Sequence, residues 1–211
     1  MRRAGAALCA AGLAALLAGC AEDSATPRSS APRLVSVLGQ GTERATGFVV
    51  GSGRVVTVAH AAEDGGVVRM RTGARTLRGR ILRVDRRADL ALLAVPGVGA
   101  NAPRTTAAGS EEHVRVAVLR AGRPVARSAT VRRAIDAHVS APGEAPPLRR
   151  PALELEAATR AGDSGAPVVS DGGEVAGVLF ARSRNKPDTA YAVDARALAD
   201  LLAGRREQGR R

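Results

Sequence analysis

The sequence predicts an all-β protein built as two six-stranded antiparallel β-barrels with one helix at the C-terminus. Short apolar runs alternate with turn residues, and no long stretch of helical periodicity intervenes before residue 194. The 24 Gly and 11 Pro in 211 residues supply the frequent turns that many short strands need. With 45% hydrophobic residues but two Phe, one Tyr and no Trp, the core has to come from Val, Leu and Ala.

Residues 1–19 stand apart from the rest. Arg2 and Arg3 precede Ala4–Ala18, a run of small and apolar residues only. A stretch that short behind a basic start reads as a secretory signal and not as a spanning helix. It ends in "LAGC", Leu17–Cys20, which resembles the lipobox of bacterial lipoproteins. The resemblance implies cleavage before Cys20, lipidation of Cys20 and a place on the outer face of the cell membrane. The competing reading is an ordinary cleaved signal with a chance cysteine. A lipidated N-terminal cysteine carries more than one chain, which meets the two-signal requirement for stable anchoring. Cys9 leaves with the signal, so no disulfide is expected even in an exported chain.

Residues 20–33, with "AEDSATPRSSAPR", form a polar tether containing Pro and Ser. The folded domain is expected over 34–203. Its first barrel (about 34–100) comes from "RLVSVLG", "ATGFVV", "RVVTVA", "VVRMR", "TLRGRILRV" and "DLALLAV". Residues 99–112, "GANAPRTTAAGSEE", link the halves. The second barrel (about 113–193) comes from "HVRVAVL", "RPVARSATVRR", "ALELEA", "APVVS", "EVAGVLF" and "TAYAV". Apolar and acidic residues alternate strictly in "ALELEA", as in a strand with one wet face. The helix, 194–203, takes Asp194 as N-cap and has Gly204 past its end. Residues 204–211 read as a solvated basic tail.

The formal charge is +12, and loss of Arg2 and Arg3 leaves about +10, nearly all arginine, since Lys186 is the only lysine. The arginines are scattered and stacking aromatics nearly absent, which argues against a nucleic-acid partner. An anionic membrane surface or cell wall suits a tethered basic protein better. No His/Cys spacing suggests a metal, and no cofactor is expected.

"RAGDSGAPVV", from Arg160, admits two readings. Gly162, Asp163, Ser164 and Gly165 can be a tight turn feeding a strand, or a serine nucleophile beside N–H groups aimed at an oxyanion. A nucleophile needs a base and an orienting carboxylate. Of three histidines, His113 and His138 read as surface or strand positions, whereas His60 follows a β-branched run in "RVVTVAHAAED". Asp89 opens the apolar run of "RRADLALLAV", where a carboxylate has to find a partner. Asp85 is a nearby competitor.

The order His60, Asp89, Ser164 is that of the chymotrypsin-like serine proteases. "TVAHAAE", "ADLALL" and "AGDSGAPVV" resemble the histidine, aspartate and nucleophile motifs of that family. "GEVAGVLFAR" and "TAYAVDARAL" are similar to its closing strands and helix. The likeness is greatest to membrane-anchored actinobacterial trypsin-like proteases, and weaker to the high-temperature-requirement proteases. It implies an endopeptidase acting on protein or peptide substrates, and a monomer is expected. Ser164 would be nucleophile, His60 base, Asp89 orienting acid, and the N–H groups of Gly162 and Ser164 the oxyanion hole.

By family position the substrate pocket has Ala158 as its floor, and Phe180, Ala181, Arg182 and Thr189 as its walls. No carboxylate sits at the floor, so small aliphatic residues are expected before the cleaved bond, unless Arg182 swings out and recruits an acidic residue. Ala166 replaces a family glycine. The segment "VLRAGRPVAR" lacks a Gly-Tyr-Pro turn common in bacterial members. Asp163, which pairs with a freed N-terminus in digestive members, needs another partner here. A protease scaffold that binds without cleaving is the alternative reading.

Overall fold

The structure, a computed structural model, describes residues 31–62, 67–139 and 148–205. The lipidation candidate Cys20 lies outside these residues. The first barrel consists of β1 (Leu34–Gly39), β2 (Thr42–Gly51), β3 (Arg54–Val58), β4 (Val67–Thr72), β5 (Arg75–Asp85) and β6 (Leu90–Ala94). The second consists of β7 (His113–Arg120), β8 (Arg123–Val139), β9 (Leu148–Glu156), β10 (Pro167–Ser170), β11 (Val175–Arg182) and β12 (Thr189–Asp194). Both barrels close, in the orders β1-β2-β3-β6-β5-β4 and β10-β11-β12-β9-β8-β7. Counted from its own first strand, each barrel has the same order, so one topology occurs twice without a visible sequence repeat. Closure leaves neither sheet a free edge.

Period-two patterning places the core. Val35, Val37, Phe48, Val55, Leu90 and Leu92 are shielded in the first barrel, and Val116, Val131, Leu155 and Val168 in the second. Each side chain of this kind contributes about 1.5–3 kcal/mol when it leaves water. One apolar cluster crosses the junction, joining Val175, Val178, Phe180 and Val193 to the first-barrel residues. The seam between the barrels is therefore packed, and residues that reach across it sit on a firm base.

The helix α2 (Ala195–Ala203) begins and ends where its caps dictate. Asp194 accepts from the N–H groups of Arg196 (2.9 Å) and Ala197 (3.2 Å), and Gly204 takes the left-handed conformation, φ 71°. Leu198 and Leu201 bury its inner face, and Arg83 of β5 donates to the C-terminal carbonyls of Leu201 and Leu202.

Three features depart from the sequence reading. β8 runs on to Val139, past the expected end near Arg133. The link is partly paired, since Thr105 bridges Val175 and Val175 N–H donates to Arg104 O at 2.8 Å. A one-turn helix, α1 (Ala59–Ala62), follows β3 and carries His60.

Candidate active site

β3 ends in a buried run and hands the chain to α1 at the junction of the barrels, so His60 leaves the core with its side chain 50% exposed. Opposite it, the 85–89 turn joins β5 to β6. Asp85 accepts from Ala88 N–H at 2.8 Å and so is used up as the cap of that turn. Asp89 is held in the left-handed region, φ 56°, by Ala59 N–H donating to its carbonyl at 2.9 Å. That conformation disfavours most residues and is less costly for Asp. It aims the carboxylate at His60 twice: Oδ1 accepts from the His60 backbone N–H at 3.0 Å, and Oδ2 lies 2.7 Å from Nδ1. A proton on Nδ1 leaves the Nε2 lone pair available as a base.

Ser164 comes from the other barrel, on the turn before β10. The turn is closed by Asp163 N–H to Arg160 O (3.1 Å) and Ala166 N–H to Asp163 O (3.0 Å). It is fastened to β2 by Thr46, whose N–H donates to Ser164 O at 2.7 Å and whose hydroxyl donates to Gly162 O at 2.9 Å. Thr57, three residues before His60, donates in turn to Thr46 O at 2.8 Å. Serine loop and histidine strand thus share one buried threonine anchor. The approach is so close that a Cβ at Gly165 would stand 1.9 Å from Thr46 O. Only glycine fits there, and its φ of 85° asks for glycine as well.

The Ser164 hydroxyl donates to Phe180 O at 3.5 Å. Among the described residues the N–H groups of Gly162 and Ser164 donate to no protein acceptor. Two free backbone donors in a turn, one on the serine itself and one two residues before it, can receive an anionic oxygen. Asp163, 1% exposed, finds its partner in Arg120 at the end of β7, a bidentate pair at 2.5 and 2.8 Å, and also accepts from Arg160 N–H at 2.9 Å. Arg120 belongs to the "VLRAGRPVAR" segment noted only for lacking a turn motif. Ala166 is wholly buried in the second barrel's core, so its methyl is accommodated.

The pocket candidates lie along neighbouring backbone. Ala158 is exposed just past β9, Ala181 is half-buried, Arg182 is exposed at the end of β11, and Thr189 is half-buried where Ser183 N–H donates to its carbonyl. Phe180 turns its ring into the core, 6% exposed, so what it gives the site is its carbonyl. His113 and His138 are exposed on β7 and β8, apart from this constellation. A cleft of about 740 Å³ runs beside the serine turn, lined by Gln40, Arg44, Ala61, Arg69, Ala161 and Gly162 among others.

Residues 45–178 match the trypsin-like peptidase domain. The chain belongs to the trypsin-like peptidase family. It is 31% identical over 182 residues, 83% of its length, to Serine protease Rv3671c of Mycobacterium tuberculosis. It is 29% identical over 194 residues, 88% of its length, to a probable periplasmic serine endoprotease, DegP-like, of Pseudomonas putida. The chain spans less than half of these relatives, 44% and 38% of their lengths. The crystal structure of the active form of the Rv3671c protease superposes with a TM-score of 0.74 at 26% identity, covering 83% of this chain and 81% of that one.

Three side chains of this trypsin-like peptidase escaped the sequence reading. Arg120 was hidden because its partner lies 43 residues away. Arg150 of β9 is a buried arginine behind Asp89. It shares the inward parity of Ala152, a signal that the strand pattern offered. Thr159, beside Ala158, has a buried hydroxyl with no hydrogen-bond partner among the described residues.

Proposed function

We propose that the chain is a serine endopeptidase working from the outer face of the cell membrane. Ser164 is the nucleophile, His60 the general base and Asp89 its orienting acid. The Ser164 hydroxyl turns from Phe180 O to His60 Nε2 and gives up its proton as Oγ bonds to the carbonyl carbon of the scissile peptide. The oxyanion settles on the N–H groups of Gly162 and Ser164, each worth about 3 kcal/mol to the transition state. His60 then protonates the leaving amine as the C–N bond breaks. A water deprotonated by the same imidazole hydrolyses the acyl-enzyme and restores Ser164.

The observation that carries this reading is the doubly held Asp89–His60 pair, with its free Nε2, at the seam where Thr46 fastens the serine turn. The direction of the Ser164 hydroxyl, toward Phe180 O, is what favours the alternative, a protease scaffold that binds without cleaving. Resting geometry of this kind commonly tightens only when substrate is present.

The substrate is a protein or peptide. An uncharged Ala158 at the floor position, with Arg182 and Thr189 at the wall positions, suits small aliphatic residues before the cleaved bond, with modest selectivity, since one methylene is worth about 1–3 kcal/mol. Lipid on Cys20 holds the monomer at the membrane, and the 20–33 tether gives the domain reach. A peptide library digested by the wild type and by Ser164→Ala tests the activity. Cleavage after Ala or Val by the wild type alone is expected. No cleavage by the wild type, or equal cleavage by both, defeats the proposal. A preference for Arg, Lys or large aromatics overturns the pocket assignment.

A further inference from the structure

Arg150 is a cation in a place that costs it water. It is 4% exposed on β9, in the second barrel, yet its side-chain hydrogen bonds and its ion pair reach to the first. Nε donates to Arg87 O at 2.6 Å and Nη2 to Arg86 O at 3.3 Å, both carbonyls of the turn that presents Asp89. Nη1 stands 3.9 Å from Asp89 Oδ2, the oxygen that faces His60 Nδ1. The guanidinium lies over the Phe180 ring, its central carbon 4.5 Å from the centroid, and the carbonyl of Phe180 is the one that takes the Ser164 hydroxyl. Arg87 returns the clasp, its Nε donating to Arg149 O at 3.3 Å.

A buried guanidinium stays only where donors and charge are both answered. Here the nearest carboxylate is the one bound to His60. Burial lowers the Arg150 pKa, and the negative charges of Asp89 and then Asp85 work against that lowering. Arginine remains charged at any working pH.

We propose that Arg150 is a positioning residue of the site. It is a cation from the second barrel that fixes the Asp89 carboxylate and discourages His60 from taking up a proton before the reaction supplies one. The inference rests on the peptidase reading above. It adds a role that the three-residue constellation does not contain. Asp89 attracts a proton to the imidazole, and a positive charge behind Asp89 offsets part of that attraction.

Other charged groups bear on the pair. Arg44 of β2 donates to His60 O at 3.2 Å. A small cavity of about 230 Å³ behind Arg150 is lined by Asp85, Arg87, Asp194, Arg196, Asp200 and Arg205. These carry both signs at the cavity wall. The Arg150 guanidinium faces the Asp89 carboxylate, with Nη1 3.9 Å from Oδ2.

The test is the pH dependence of fluorophosphonate labelling, with the NMR titration of the His60 ring protons, in purified full chain carrying Arg150→Gln or Arg150→Lys. Loss of one charge 3.9 Å from the Asp89 oxygen that faces the imidazole, in a half-solvated site, moves a titration by about 0.5–1 pH unit. Arg150→Gln is expected to move the acid limb and the His60 titration upward by that amount. Arg150→Lys keeps the charge without the fork, so it should label more slowly with both midpoints close to the wild type. Two neutral or charged variants that slow labelling equally and leave both midpoints in place would overturn the inference, reducing Arg150 to a structural residue. If Arg150→Gln does not fold, Arg150→Met is the second neutral variant: an upward shift of both midpoints supports the proposal and unmoved midpoints defeat it. The NMR titration needs no turnover. A wild type that does not label therefore defeats the peptidase reading separately, and the shift still reports on Arg150.

Discussion

Arg120→Met removes the fork that answers Asp163 while keeping most of the aliphatic stem. The Asp163 side chain is 2% exposed, and that of Arg120 is 21% exposed. In the variant the carboxylate keeps its bond from Arg160 N–H but loses both guanidinium bonds, 2.5 and 2.8 Å. Breaking a buried pair from one side costs about 3–5 kcal/mol, because the remaining charge is stranded. The partial exposure of Arg120 puts this case at the lower end, about 3 kcal/mol. For a chain of this size that lowers Tm by roughly 6–12 °C. Thermal unfolding followed by circular dichroism reads the loss. Asp163→Asn added to Arg120→Met should recover part of it, because a neutral amide is cheaper to bury than a lone carboxylate. Labelling by fluorophosphonate should fall as well, since Asp163 lies between the two free N–H groups of Gly162 and Ser164. A Tm within about 2 °C of the wild type, with full labelling, would refute the reasoning that this pair sets the serine turn.

Gly165→Ala places a methyl 1.9 Å from Thr46 O at a φ of 85°, so the turn has to leave β2. A loss of at least about 3 kcal/mol in urea unfolding, with no labelling, is expected, and a stable, labelled variant would contradict the anchor. Cys20→Ser should abolish incorporation of metabolic palmitate and release the chain from the membrane pellet. A wild type that takes up no lipid would remove the anchor.

Much of the fold was legible in the sequence because the core is made of short Val, Leu and Ala runs. Each strand announced itself by where its apolar residues stop, and α2 by Asp194 and Gly204. What escaped had a weak apolar signal or none. The far half of β8, "AIDAHV", alternates half-buried and exposed residues against β9, so its pairing partner defines it more than its own pattern does. The four residues of α1 are too few to show a helical period. The candidate site was legible as three motifs in order, because His60, Asp89 and Ser164 each sit at a strand end or turn with recognisable neighbours. Its supports were not. Arg120 and Arg150 look like members of a scattered basic surface; the parity of β9 hints that Arg150 points inward, but the carboxylate each one meets emerges when both barrels close.

The most direct measurement is to react the purified protein with a fluorophosphonate probe and locate the adduct by mass spectrometry. A serine that His60 activates displaces fluoride and keeps the phosphonyl group on its oxygen. The account predicts a single adduct on Ser164, absent from Ser164→Ala and from His60→Ala. No adduct on the folded wild type, or one that persists in either variant, would contradict it.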